Sequence, residues 1–277
     1  MGWPVSHSFS PAMHNGAAAA LGLNLVYVPL PVRPEHLSLA LAGLAALGFV
    51  GVNVTVPHKE AVLPLLGGVD EAARLIGAVN TIKVDDDGQL QGYNSDWQGF
   101  LADLTQHGFV VSGRDCLVLG AGGSARAVAY GLGRSAAGRV AVVTRRSEQA
   151  QQLAADLQAL FPAGTFRAYT SGDLPHLLAD LIVNCTPLGM SPATNSSPWP
   201  ADVPIPAGAF VYDLVYNPPQ TRFMAQAMAA GNRAVNGLGM LLEQAMAAFE
   251  IWTGQKGDRE AMLAALQPVR PEQQGQH

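Results

Sequence analysis

Short apolar runs alternate with amphipathic or Ala-rich stretches along most of the chain. Residues 11–21 are Ala-rich and read as a helix with Pro11 in its first turn. Residues 25–30 read as an apolar strand, 34–47 as a helix opened by Pro34, and 49–56 as a strand whose far end turns polar. Short helices are predicted over 60–66 and 70–76. Residues 78–84 and 90–93 read as a hairpin about Asp86-Asp87-Gly88. After Asp96 a helix over 97–107 leads to a strongly apolar strand, 115–119, then a glycine-rich turn and a helix over 125–133. Strands at 140–144, 181–185 and 210–213 follow, with a helix at 148–160 between the first two. The last helices are predicted at 238–253 and 259–266, and the Pro/Gln-rich tail from 268 is expected to fray. Strands alternating with helices predict an α/β fold, its parallel sheet covered on both faces.

Composition narrows this picture. Of 277 residues, 49% are hydrophobic and 13% charged, which suits a buried core and excludes a disordered chain. The formal net charge is -5, so no basic surplus exists to bind nucleic acid. The longest apolar stretch, 39–52, is broken by Gly43, Gly48 and Gly51 and falls short of the ~20 residues of a membrane span. The N-terminus lacks the basic-then-apolar pattern of a signal peptide. Cys116 and Cys185 sit in strand-like runs with no metal-ligand spacing, and His7, His14 and His58 form no group. Reduced thiols, no metal and a cytoplasmic location are expected. Oligomeric state stays open, a homodimer being one arrangement.

Two regions carry candidate chemistry. Gly120, Ala121, Gly122, Gly123, Ser124 and Ala125 fit the dinucleotide fingerprint, between an apolar strand and a helix start. The free amides of such a helix end suit a pyrophosphate. The next strand ends Thr144-Arg145-Arg146 with no acid for a ribose hydroxyl. Two guanidinium groups there suit a 2′-phosphate; a solvated arginine pair is the bland alternative. The second region lies in the first third. Ser6-His7-Ser8-Phe9-Ser10-Pro11 places hydroxyls before a helix, and Ser10 could equally cap it. Asn53 and Thr55, two apart, would share one face of a strand, with Lys59 just beyond. Asn80-Thr81 and Asn94-Ser95-Asp96 add amides, hydroxyls and a carboxylate. Turn roles for Asn80 and Asn94, a solvated Lys59 and a capping role for Asp96 are the alternatives.

Together these segments resemble the shikimate dehydrogenase family over nearly the whole chain. The markers run in family order: Ser8-Phe9-Ser10-Pro11; Asn53-Val54-Thr55-Val56-Pro57-His58-Lys59; Gly77-Ala78-Val79-Asn80-Thr81; Asn94-Ser95-Asp96; the Gly120 loop; Asn184-Cys185-Thr186-Pro187-Leu188-Gly189-Met190; Tyr212-Asp213-Leu214-Val215-Tyr216; and Gly237-Leu238-Gly239-Met240-Leu241-Leu242-Glu243-Gln244. The resemblance implies reversible reduction of 3-dehydroshikimate by NADP(H). It implies that Ser8 and Ser10 hold the substrate carboxylate and that Thr55, Asn80, Asp96, Tyr216 and Gln244 hold hydroxyls or line the pocket. A catalytic Lys59–Asp96 pair, a 2′-phosphate clasp of Thr144, Arg145 and Arg146, and a nicotinamide side of Thr186, Met190, Leu214 and Gly237 are implied as well. A substrate domain of residues 1–96 plus 233–277 and a Rossmann-type NADP domain of 97–232, with a cleft between them, are expected.

Two departures stand out. Most of the family's first apolar strand is missing before Pro4, so the substrate domain's sheet is expected to lose a central strand unless the chain starts upstream. Ser95 stands where Thr is more usual, with little change expected. An NAD-dependent quinate/shikimate dehydrogenase and a non-catalytic sensor are the rival readings. Ser8, Ser10, Arg145 and Arg146 weigh against the first; Lys59 and Asp96 weigh against the second.

Overall fold

The computed structural model describes residues 1–5, 8–145 and 147–266. Ser6, His7, Arg146 and the tail from 267 lie outside them. The described residues form an α/β structure with two sheets.

The larger sheet is parallel throughout. Its strands are β5 (Asp115–Leu119), β6 (Arg139–Thr144), β7 (Thr165–Thr170), β8 (Leu181–Asn184), β9 (Phe210–Asp213) and β10 (Arg233–Asn236). The spatial order is β10-β9-β8-β5-β6-β7, the doubly wound arrangement of dinucleotide-binding units. Apolar runs build it because side chains of a two-sided parallel sheet are buried on both faces. Cys116 and Val118 enter one core with Val140, Val142 and Ala125, while Leu117 and Leu119 enter the other with Val143, Ile182, Val211 and Trp199. Burying a side chain such as Leu117, fully enclosed here, contributes roughly 2–3 kcal/mol. The helices α5 (Gly123–Arg134), α6 (Ser147–Leu160) and α7 (Arg222–Ala229) belong to this unit. β10, which a boundary before Arg233 would give to the other unit, pairs with β9 in this sheet.

The smaller sheet is mixed. β1 (Gly51–Asn53), β2 (Gly68–Val69), β3 (Thr81–Val84) and β4 (Leu90–Tyr93) are all short, and they lie in the order β1-β3-β4-β2. α1 (Ser10–Ala20), α2 (Leu37–Ala46) and α3 (Glu71–Ile76) accompany them. The expected hairpin forms, but the strand expected over 49–56 shortens to β1. The helix expected over 60–66 is a turn ending in a 3-10 segment, Leu63–Leu65. Residues 25–30 form no strand among the described residues. The physical reason lies beside them. Met1, Gly2 and Trp3 thread between two segments: the Gly2 N–H donates to Leu30 and the Gly2 carbonyl accepts from Val32, while Thr55 donates to Met1 and Trp3 to Val56. Beyond that short stretch 25–29 has no ladder partner among the described residues, and Leu25, Val26 and Val28 are exposed.

Two helices join the units. α4 (Asp96–Gln106) starts where β4 ends, and α8 (Leu238–Thr253) starts after β10. They pack closely because Gly99 has no side chain: a Cβ there would stand 2.8 Å from the Gln244 amide nitrogen. α9 (Arg259–Ala264), capped by Asp258, packs on α1.

Candidate active site

Three strand ends gather the polar residues. The ladders align Asn53 with Thr81 and Thr81 with Tyr93. Lys59, in the turn after β1, sends its ammonium to Asp96 Oδ2 at 2.6 Å, with side chains only 12% and 6% exposed. Its backbone is held as well, since its carbonyl accepts from the Val79 N–H at 2.7 Å. The other Asp96 oxygen accepts from Asn80 Nδ2 at 2.8 Å. Asn80 Oδ1 in turn accepts from the Ser95 N–H at 2.7 Å. Gln244 Oε1 comes within 3.4 Å of Asn80 Nδ2 from α8. Asp96 is the first residue of α4, yet its carboxylate caps nothing; Ser95 is the cap position, and its hydroxyl bonds to Asn80 and the Gln244 carbonyl rather than capping the helix. Likewise Ser10 does not cap α1, because Phe9 holds that position. Asn80 is buried, and its backbone is bonded to Val54 and to Tyr93. A buried ion pair adds little net stability, because desolvation offsets attraction. What this one supplies is a fixed ammonium with an N–H to spare.

Next to this pair lies a cluster of neutral hydroxyls. Tyr27 donates to Asn53 Oδ1 at 3.0 Å. Asn53 Nδ2 donates to the Asn80 carbonyl and to Thr81 Oγ1, both at 3.2 Å. Ser10 and Tyr216 are also close to the Tyr27 hydroxyl. Burial raises the pKa of both tyrosines, so both remain proton donors. Ser8 Oγ accepts from the Ser10 N–H at 3.2 Å, and Phe9 lies against the Tyr216 ring. Tyr27 belongs to this network although the sequence reading passed over it; Asn53 and Ser95, named there only as polar candidates, belong to it too. Asn53 carried a signal, its polarity at an apolar strand's end; Tyr27 carried none, because it sits in an apolar run. β1 stops at Asn53, yet the alternation continues past it: Val52 and Val54 are buried, Asn53 and Thr55 lie on the other side, and Met1 bonds to both, donating to the Asn53 carbonyl and accepting from the exposed Thr55's amide.

Across from Lys59 stands the glycine loop. Gly120 has φ +113, a backbone setting that favours glycine, and packs on Thr186 and Cys185. β5 and β8 are the neighbours where the strand order reverses, so the loop and Thr186 flank the crevice where such sheets take ligands. Gly122 caps α5 with no side-chain bond, and a Cβ there would meet only a Glu60 oxygen at 4.0 Å. Unsatisfied amides facing open space fit a diphosphate. Thr144 and exposed Arg145 lie at the end of β6; Arg146 is outside the described residues. Leu214 crowds Gly237, where a Cβ would come within 2.3 Å of the Leu214 carbonyl oxygen, and Met190 is exposed. Below Thr186, Asn184 Oδ1 accepts from its hydroxyl at 2.7 Å and Asn184 Nδ2 donates to Asp213 at 2.8 Å. Burial pushes the Asp213 carboxyl up to about 6 despite bonds from Thr221, Val215 and Asn184. Asp213 also escaped assignment; its apolar strand hid it. Arg126 ties α5 to the other unit, donating to the Ile76 carbonyl at the end of α3 and to Asp156. Among the described residues no His, Cys, Asp and Glu group could hold a metal, and no helix is long and apolar enough to cross a membrane.

Comparison with known proteins fits this geometry. Residues 1–82 match the shikimate dehydrogenase substrate binding domain, and residues 237–267 the shikimate 5'-dehydrogenase C-terminal domain. A shikimate dehydrogenase (NADP(+)) of Moorella thermoacetica is 49% identical over 278 residues, covering 99% of this chain and 92% of that protein. The chain belongs to the shikimate dehydrogenase family. Among solved members, the shikimate 5-dehydrogenase of Thermus thermophilus, in complex with NADP(H) and shikimate, gives a TM-score of 0.85 at 39% identity over 95% of each chain. A quinate dehydrogenase of Corynebacterium glutamicum, in complex with NAD, gives 0.86 at 31% identity over 95% of each chain.

Proposed function

We propose that this chain is an NADP-dependent oxidoreductase that interconverts 3-dehydroshikimate and shikimate, a step toward aromatic amino acids. The observation that carries the reading is the Lys59–Asp96 pair, 2.6 Å apart and nearly buried, facing the glycine loop across the two units. The bound nicotinamide supplies or takes up the hydride. The chain's own residues do the rest. A carbonyl that gains hydride leaves an oxyanion, and the Lys59 ammonium stabilises it and gives it a proton. Asp96 balances and orients that ammonium. Asn80 holds Asp96 and, with Gln244, offers amide groups to the ring hydroxyls; Thr55 borders them. Ser8, Ser10 and Tyr216 donate to the substrate carboxylate, which neutral hydroxyls can do without a buried cation.

Gly120 to Ala125 would hold the diphosphate, Thr144, Arg145 and Arg146 the 2′-phosphate, and Thr186, Met190, Leu214 and Gly237 the nicotinamide end. The substrate unit is read as 1–96 with the return after β10, and the cofactor unit as the segment between. Two free thiols, Cys116 and Cys185, support a cytoplasmic setting. A second reading, quinate oxidation with NAD, draws on the likeness to the Corynebacterium enzyme.

The test is the initial rate of cofactor reduction with shikimate and with quinate, each with NADP and with NAD. Turnover confined to shikimate and NADP is expected. Preference for quinate and NAD would replace the first reading by the second.

A further inference from the structure

Lys59 has a second partner that the paired carboxylate does not explain. Its Nζ lies 3.1 Å from Ser124 Oγ, a residue of the glycine loop in the other unit. The contact is built in. A Cβ at Gly123 would stand 3.0 Å from Lys59 Cβ, so the first turn of α5 lies directly against the lysine stem. Gly122, at the cap position, offers the α5 amides no side chain.

An ammonium has three N–H donors. Asp96 takes one and Ser124 a second, and tetrahedral geometry then fixes where the third points. Ser124 Oγ accepts from Lys59, which leaves the hydroxyl's own proton to donate. At this helix end the acceptor on offer is a diphosphate oxygen.

We propose that Ser124 is a positioning residue that couples the two halves of the site. It holds the Lys59 ammonium in register, and it draws on the diphosphate through its proton, so that an occupied cofactor loop aligns the proton donor for the substrate. The proposal rests on the role assigned to Lys59.

The experiment compares the full-length chain with Ser124→Ala, Ser124→Thr and Lys59→Ala. Two readouts are taken: steady-state kinetics with shikimate and NADP+, and the equilibrium Kd of shikimate by calorimetry with and without NADPH, a pair that cannot turn over. A hydrogen bond to a charged group sets the scale, so Ser124→Ala should lower kcat about tenfold, with KM for NADP+ moving less than about threefold. NADPH should tighten shikimate binding at least about fivefold in the parent chain and hardly at all in Ser124→Ala. Ser124→Thr keeps the hydroxyl and should restore both.

Unchanged kcat and coupling in Ser124→Ala would overturn the proposal. So would a raised KM for NADP+ with kcat intact, which marks a simple cofactor contact. Lys59→Ala separates this from the parent reading: a fall of about 10²–10⁴ in kcat keeps that reading, and full turnover sinks it whatever Ser124 does.

Discussion

The two sheets solve different problems. The six-stranded sheet is parallel, lined on both faces by apolar side chains, and sealed by helices. The four-stranded sheet has strands of two to four residues, with Val26, Val28, Leu39, Leu47 and Val50 exposed around it. Its strand ends are given to Asn53, Asn80, Thr81 and Ser95, whose hydrogen bonds hold one another and Asp96. The contrast shows where each unit's rigidity comes from. Packing holds the cofactor side, so its loops can be bare glycine. A polar network holds the substrate side, and that network is also the recognition surface.

Core truncation should separate the units most widely. Leu117→Ala, in the sealed sheet, should cost about 2–5 kcal/mol of stability in urea titration. Val52→Ala, in β1, removes less volume from a thinner core and should cost about 1–2 kcal/mol. Equal losses would break the comparison.

Acid should then split the units in opposite directions. His14 is buried beside Tyr27 and Trp252, neither ring nitrogen finds a partner among the described residues, and burial lowers its pKa to about 4, with Asn53 opposing. Between pH 6.5 and 4 the unfolded chain binds a proton that the folded imidazole refuses. Stability present above 6.5 is therefore lost as pH falls through that window, by on the order of 3 kcal/mol. Asp213 has the reverse sign. Its folded pKa of about 6 lies above the ordinary 3.8, so its contribution is full below 3.8 and lost as pH rises through 6. Hydrogen exchange at pH 7 and pH 5, corrected for intrinsic rates, should show Ile82 losing protection relative to Val118. Parallel changes in both amides would argue against separate responses.

Helix caps give smaller effects than truncation of the sealed core. Asp70 caps α3 through the Ala73 amide, and Asp70→Ala should cost about 1 kcal/mol. Thr221 caps α7 and also donates to Asp213 at 2.6 Å. Thr221→Ala should cost more, about 2 kcal/mol, because a buried carboxylate also loses a donor. Thermal melts of the two variants read the difference.

Much of the sealed sheet was legible in advance. β5, β6, β8 and β9 fall where continuous apolar runs predict them, because full burial leaves a local pattern. β7 and β10 were missed: both are edge strands with half-exposed residues, so neither run is continuous. α7 has eight residues, too few for a clear helical period. In the other unit the expected strand over 25–30 failed because a strand needs a ladder partner, and apolar content alone does not supply one.

What the sequence alone determined was the α/β class, the glycine loop after an apolar strand, and the polar types at Asn80, Asp96 and Lys59. Those are local matters: the period of burial, the backbone freedom of glycine, and side chains whose polarity conflicts with their setting. Tertiary structure decided which polar groups meet. Tyr27 reaches Asn53 across 26 residues, Lys59 reaches Asp96 across 37 and Ser124 across 65, and Asn80 meets Gln244 across 164. Hydrogen bonds act over about 3 Å in space, and no local pattern in the chain records which distant segments the packing of α4 against α8 will bring within that reach.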